Sequence, residues 1–583
     1  MHDGVAETEL ESARRQDRIS GSIASDAALR AVYLVVGALT IGLIFWKLQF
    51  SNRSVCCGDF DGYYHIRWSR LLWENMRQGH FFPPTFKWLP LTTLDPAGYV
   101  DHHLLFHILQ IPFTWLGDLR LAAKVSATLF ASLAVFSCYW LIVRYRISYT
   151  LVWLVAMLAC SAPFLYRLNM AKAPPISIIF MVAGIYLLFE KKYSWLALLA
   201  FLYVWTYSLF VTLVAAALIW TAVIVWSELR FEWRPLVWTS LGTVAGFIIN
   251  PYFPKNVSLF LEHLWIKVRV GDFSTSVGSE WYPYESWFFL GSCLVAFVAM
   301  LVGYIAFDWT DRRRAARPLF FLIFSTLLMV MSFRSRRFVE YWPPFAVLFA
   351  AFALQTIFDG ARAPVGRLPE HVLDDLQPFL DRSERAETVS SRRQKEYWQT
   401  WAAAFVALLL GVVLVINVHE TAKGIAGEAG PDRYKGGMDW VRSHVPEGQM
   451  VFNTDWDDFP KMFFYDTSHA YASGLDPTYL LDKNPELSKL YEEITLGKIK
   501  DAAPIIRDRF GARYVFSDNE DVHNDFYFNA RESGWFDIVY EDEECTVLQI
   551  REQKGVALPD EDEGGGDDST DETEDAGNRQ EEP

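Results

Sequence analysis

Apolar runs long enough to cross a bilayer recur through the first 420 of 583 residues. Eleven candidates are Leu29–Gln49, Leu119–Val143, Ser148–Leu165, Pro175–Phe189, Trp195–Tyr207, Phe210–Trp226, Pro235–Ile249, Trp287–Phe307, Pro318–Phe333, Pro344–Phe358 and Trp398–Val418. A soluble helical protein would need charges along one face of each run, and these runs lack them. The pattern predicts a polytopic α-helical membrane protein of about 11–13 transmembrane helices. The polar stretch Met1–Asp26 has neither the apolar core nor the cleavage site of a secretory signal, so a cytoplasmic N-terminus is expected. Basic residues then fall in the inner loops at Arg144 and Arg146, Lys191 and Lys192, Arg230 and Arg234, Arg312–Arg317 and Arg362–Lys395.

On this topology three features lie outside: the loops Ser51–Asp118 and Pro251–Ser286, and the turn Arg334–Tyr341. In the first loop, Tyr63–Gln78 reads as an amphipathic helix with Trp68, Leu71, Leu72 and Met76 on one side. Leu104–Trp115 is too short to cross and should lie in the interface. Glu420–Arg551 changes composition. Strands are expected at Val451–Thr454, Ala512–Ser517, Phe536–Tyr540 and Cys545–Ile550, and helices at Arg433–His444, Leu487–Leu496 and Ala502–Phe510. The predicted domains are a cytoplasmic segment (1–28), a transmembrane domain (29–418, with external loops 51–118 and 251–286), an extracytoplasmic α/β domain (419–558) of a size that folds independently, and an acidic tail (559–583). The tail holds twelve acids and one arginine, so it carries most of the net charge of −16 and is expected to be disordered. No nucleic-acid signature is present. The six cysteines form no CxxC motif, and Cys56–Cys57 reads as incidental.

Polar clusters at membrane depth are costly, about 2.5–3.5 kcal/mol per charged group on insertion scales, and so ask for a function. Five lie on the outer side. Asp59 and Asp61 suit a hard divalent cation such as Mg or Mn, or general-base work, or in the case of Asp61 a helix N-cap. Asp101, His102 and His103, with His107 one turn on, are donors that suit a transition metal or a hydrogen-bonded loop. Glu280 stands alone before a span. Arg334, Arg336 and Arg337 suit a phosphate or diphosphate by bidentate hydrogen bonding. Asp455-Trp456-Asp457-Asp458-Phe459 follows a strand and reads equally as a turn.

Taken in order, these clusters resemble the catalytic subunit of oligosaccharyltransferase, a GT-C class membrane glycosyltransferase. That family carries F-D-P-W-F-N-Y-R after its first span, where this chain has Phe60-Asp61-Gly62-Tyr63-Tyr64-His65-Ile66-Arg67. Its S-V-S-E-H-Q-P loop aligns with Val277-Gly278-Ser279-Glu280-Trp281-Tyr282-Pro283, and its WWDYG motif with the stretch around Trp456 and Asp457. The resemblance implies a GT-C-like bundle. It makes Asp61 and Glu280 the carboxylates that bind a metal and the acceptor, with Glu280 on a mobile loop. Tyr63, Tyr64, Trp456, Asp457 and the arginines would contact substrate. The family's second acidic motif has no counterpart, because Arg167–Pro175 holds no carboxylate and places Lys172 near the ligand position. Two expectations follow. In one, the site is metal-independent and Lys172 supplies the fixed positive charge. In the other, Asp101, His102 or His103 joins Asp61 and Glu280 in a rebuilt Mg or Mn site.

The expected activity is transfer of a sugar or oligosaccharide from a polyprenyl-phosphate or polyprenyl-diphosphate donor to an extracytoplasmic protein, lipid or glycan acceptor. The expected location is a bacterial inner membrane. A non-catalytic relative that binds lipid-linked glycan is the alternative. A transporter fits less well, since its charges would sit at mid-membrane.

Overall fold

The computed structural model describes residues 3–55, 60–268, 278–362 and 382–556, with side chains described for 26–55, 60–262, 278, 280–358 and 397–556. Asp59, the Cys56–Cys57 pair, residues 269–277 of the expected mobile loop, most of the basic run Arg362–Lys395 and the acidic tail lie outside them.

In the first half of the chain the helices are α1 (Asp3–Gln49), α2 (Asp61–Arg77), α3 (Leu104–Gln110), α4 (Leu119–Arg144), α5 (Thr150–Ala159), α6 (Ala162–Leu168), α7 (Pro174–Phe189), α8 (Trp195–Val204), α9 (Val211–Glu228), α10 (Arg234–Ile248) and α11 (Lys255–Val268). The bundle continues through α12 (Ser286–Ser292), α13 (Leu294–Ala306), α14 (Arg312–Arg334), α15 (Trp342–Arg362) and α16 (Arg382–Ala426). Each of the eleven apolar runs falls on helix. Among the described residues, five helices are long and apolar enough to cross a membrane, or seven if each bent pair counts as one span. The runs at α7, α8 and α15 form shorter apolar helices. The protein is thus a multi-pass membrane protein. Its first and last spans leave most of their apolar side chains at least partly exposed, as lipid-facing helices do, though the first buries Ile41, Phe45 and Leu48.

Two expected single spans are broken. The run Ser148–Leu165 bends by 80° between α5 and α6. Ser161 causes the break: its hydroxyl accepts from Phe164 N at 3.2 Å and caps a new helix, and Pro163 in that helix's first turn has no N–H to continue the old one. The run Trp287–Phe307 bends by 75° between α12 and α13. Elsewhere glycines let helices approach closely. A Cβ at Gly242 of α10 would lie 2.1 Å from the Ala197 carbonyl oxygen of α8.

The C-terminal domain is built on a five-stranded sheet in the order β2-β1-β3-β5-β4, with β1 Met450–Asn453, β2 Ala470–Tyr471, β3 Ala512–Asp518, β4 Phe536–Glu541 and β5 Cys545–Ile550. Four of these strands are legible in the sequence; β2, two residues long, is not. β1 runs parallel to β2 and β3, while β5 is antiparallel to β3 and β4.

This domain is not packed as an independent unit. Tyr64, Trp68 and Leu72 of α2, with Phe86, Trp88 and Tyr99 further along the first external loop, share one apolar core with Met438, Phe463 and Val547. Trp88 Nε1 donates to Thr467 O at 2.8 Å, and Tyr471 N donates to Trp88 O at 2.8 Å. The first external loop is therefore clamped between the bundle and the sheet domain. Met76, expected on the buried face of α2, is instead exposed near its end.

Candidate active site

The clamp fixes α2, and α2 fixes Asp61. Asp61 is the first helical residue; the N-cap is Phe60, which makes no side-chain capping bond. The carboxylate thus lies where the helix dipole favours negative charge. It also meets a cation directly, with Lys172 Nζ 2.8 Å from Asp61 Oδ2. Lys172 stands in the short connection between α6 and α7, which the α5–α6 break carries against α2.

Glu280 sits in a single 3-10 turn, Ser279–Trp281. Its Oε2 accepts from Arg167 Nη2 at 2.8 Å, and its Oε1 from Arg337 Nη1 at 2.9 Å. Arg167, on α6, is further held by buried Glu340, to which its Nε donates at 2.7 Å. Burial pushes the Glu280 carboxyl up, but Arg337, Lys172 and Arg167 outweigh it and hold it well below the ordinary carboxylate range. The turn is stitched to the segment after α14: Ser335 Oγ donates to Glu280 O at 2.8 Å, and Arg336 N donates to Tyr282 O at 3.0 Å.

Arg337 lies in that segment, on the turn Arg336–Glu340. Its Nη2 donates to Tyr207 Oη at 2.7 Å, and its guanidinium lies 4.8 Å from the Trp281 ring centre. Tyr207 in turn stacks on His103, with ring centres 5.4 Å apart. Of the three arginines expected to grip phosphate, only Arg337 enters the site. Arg334 is exposed at the end of α14, and Arg336 donates outward to Pro283 O at 3.2 Å and lies 5.1 Å from the Tyr284 ring centre.

Asp61, Glu280 and Arg337 line one cavity of about 110 Å³, with Tyr64, His65, Tyr99, His102, His103, Trp281 and Tyr479 around it. Tyr64 contributes to its wall, its hydroxyl 2.9 Å from that of Tyr99. The neighbouring Tyr63 turns the other way, into an apolar cluster with Ala122 and Ala123, and its hydroxyl accepts from Val55 N at 3.2 Å. Trp456 approaches the Glu280 loop from the sheet domain: a Cβ placed on Gly278 would meet its ring at 3.8 Å. Asp457 lies outside this cavity and lines a different one.

A buried relay that the sequence did not disclose ends at the same cavity. Asp101 accepts from Trp68 Nε1 at 2.9 Å and from the His103 backbone N–H at 3.0 Å. His107 Nδ1 lies 2.8 Å from Asp101 Oδ2, and His107 Nε2 lies 2.8 Å from His65 Nδ1. Burial pushes the Asp101 carboxyl up, but His107 outweighs it and holds it below its ordinary value. An ionised Asp101 has no proton to give, so His107 Nδ1 donates to it. His107 Nε2 then accepts from His65 Nδ1–H, which leaves the lone pair on His65 Nε2. Burial, then His107, push His65 well below the usual histidine range, so its ring stays neutral at pH 7. His65 and His107 are 42 positions apart, and no spacing rule pairs them.

The donor set expected for Mg or Mn does not fit a divalent cation. Asp61 is held by Lys172, Glu280 by two guanidiniums, and Asp101 by an indole, an amide and an imidazole. His102 and His103 line the wall with ring centres 3.9 Å apart and ring planes tilted by 44°. Among the described residues, no three of the five expected ligands gather within 4.8 Å of one another.

No family model matches the chain, and no curated protein matches it by sequence. Its fold is nonetheless that of solved GT-C glycosyltransferases. It is similar to archaeal oligosaccharyltransferase AglB from Archaeoglobus fulgidus, solved in complex with an inhibitory peptide and a dolichol-phosphate (TM-score 0.56, 12% identity, 90% of this chain and 74% of that one). It is similar also to ArnT from Cupriavidus metallidurans bound to undecaprenyl phosphate (TM-score 0.51, 14% identity, 89% and 98%). A third is the arabinofuranosyltransferase AftD from Mycobacteria (TM-score 0.50, 13% identity, 90% and 42%).

Proposed function

We propose that this chain is a membrane glycosyltransferase. It transfers a sugar or oligosaccharide from a polyprenyl-phosphate or polyprenyl-diphosphate donor to a protein, lipid or glycan acceptor on the non-cytoplasmic side. One observation carries the reading: Asp61, far from the other two in the chain, lines a single cavity with Glu280 and Arg337. Solved proteins of this fold hold dolichol-phosphate and undecaprenyl phosphate, which supports the donor class.

The reaction is displacement at the anomeric carbon. An acceptor heteroatom forms the new bond, the bond to the phosphate oxygen breaks, and its electron pair leaves with the polyprenyl phosphate. The developing anion needs fixed positive charge, which in a water-poor site acts strongly. Arg337 lines the cavity and supplies it directly. Lys172 and Arg167 stand one layer behind, on Asp61 and Glu280 respectively. Asp61 orients the acceptor and takes its proton. Glu280 accepts from Arg337 Nη1, a donor that a phosphate oxygen would take, so movement of its loop exposes Arg337 to the donor. Three cations (Arg167, Lys172, Arg337) answer Asp61, Glu280 and Glu340 before substrate enters, and the reaction is metal-independent.

The test is label transfer by the purified full chain, in lipid nanodiscs, from radiolabelled polyprenyl-phosphate and polyprenyl-diphosphate sugars to membrane extract. Transfer that survives chelation and is lost in Asp61→Asn and Glu280→Gln is expected. Donor binding with no transfer by the unaltered protein would overturn the enzyme and leave a lipid-linked-glycan binder.

A further inference from the structure

The sheet domain holds a second cluster of ionisable groups that sugar transfer does not use. β1 and β3 are adjacent and parallel, with Asn453 opposite Phe516. Their carboxyl ends therefore release two aspartates side by side, Asp455 after β1 and Asp518 at the end of β3. This edge of an open α/β sheet is where ligands settle. His523, in the turn Asp521–His523 that follows, closes on the pair, its Nδ1 2.9 Å from Asp518 Oδ2. One ligand atom from each of Asp455, Asp518 and His523 lies within 4.8 Å of the other two.

An independent observation points to a missing partner. Asp458 is 4% exposed and its side chain meets Tyr434 and Asp518, yet its Oδ2 has no hydrogen-bond partner. It lines, with Asp455 and Asp457, a cavity of about 580 Å³ that is separate from the one at Asp61. The nearby guanidinium, Arg433, is already committed to Glu520 at 2.7 Å. Asp455, Asp458 and Asp518 are thus met directly by one imidazole, while Arg433 and Lys461 act on Asp458 through their charge. A buried carboxylate oxygen without a donor is costly, and a bound cation removes that cost.

We propose that Asp455, Asp518 and His523, with Asp458 as fourth donor, bind one divalent cation of the Mn²⁺ class. Three carboxylates and one imidazole suit such an ion better than a thiolate-seeking one. The site has a route to the catalytic cavity. Asp455 begins the turn that carries Trp456, and Trp456 reaches Gly278, two residues before Glu280. That consequence rests on the transferase reading; the cation site does not.

The experiment uses the full chain purified in detergent, stripped with chelator and titrated with Mn²⁺, free Mn²⁺ being read by electron paramagnetic resonance. One Mn²⁺ per chain is expected, retained in Asp61→Asn and weakened at least tenfold in Asp455→Asn and in His523→Gln. Asp455 is only half-buried, so its variant is expected to fold, and size-exclusion elution checks this. No stoichiometric Mn²⁺, or Mn²⁺ bound equally by both sheet-domain variants, overturns the proposal; label transfer by the same protein remains a separate readout. Mn²⁺ lost in Asp61→Asn overturns it too, and would also overturn the metal-independent reading of the outer cavity.

Discussion

Lys172 Nζ lies 2.8 Å from Asp61 Oδ2, joining the connection after α6 to the first residue of α2 across more than a hundred positions of chain. A lysine thus stands on the carboxylate that we propose faces the acceptor. Replacing it separates the two accounts of the site. Lys172→Met keeps the side chain's bulk and removes the charge. Label transfer should fall by about 10²–10³, the usual cost of losing one preorganised electrostatic contact. Added Mg²⁺ or Mn²⁺ should not restore it, and chelator should leave the unaltered protein active.

Glu280→Gln should lower both activity and stability. The neutral amide cannot satisfy two guanidiniums as the carboxylate does, and losing a charge-assisted hydrogen bond costs about 1–3 kcal/mol. The pH sign follows from the depressed carboxyl. Its contribution is fully present above the ordinary glutamate value of 4.5 and is lost as pH falls below that. Thermal melts of the unaltered protein should therefore lose stability on acidification below about pH 4.5, and the Glu280→Gln variant should show a shallower fall.

The relay has the opposite origin and a different window. Neutral His65 resists protonation in the folded protein, while the unfolded chain takes up the proton near the ordinary value of 6.5. The unfolded state therefore binds more protons below that value, so stability falls as pH drops through 6.5. His65→Asn should flatten this part of the profile.

Gly242→Val tests the bundle rather than the chemistry. A Cβ at this position falls 2.1 Å from the Ala197 carbonyl oxygen, and backbone cannot step aside as a side chain would. Overpacking of this kind costs about 1–3 kcal/mol. A lower melting temperature in detergent is expected, with label transfer per folded molecule unchanged.

Local pattern disclosed a good part of this. Apolar runs placed eleven helical stretches because transfer into lipid depends on composition summed along the chain. Alternation placed four strands of the sheet. Asp61 and Glu280 were legible only through motif order, and Arg337 only as one of three. Arg334 and Arg336, three positions and one position from it, are turned away by the Ser335 link to Glu280, a contact set by which way one short turn faces. The breaks at Ser161 and Cys293 were also missed at the level of hydropathy, since a kinked span and a straight one have the same composition.

What the sequence determined by itself was the medium and the inventory: a chain that must enter a bilayer, with a small set of charged residues held outside its apolar runs. What only the tertiary structure decided was who answers each charge. Lys172 on Asp61, two guanidiniums on Glu280, and His65 on His107 are pairings between residues 42 to 113 positions apart. Coulomb energy and hydrogen bonding depend on separations of a few ångströms, and distance along a chain does not report them.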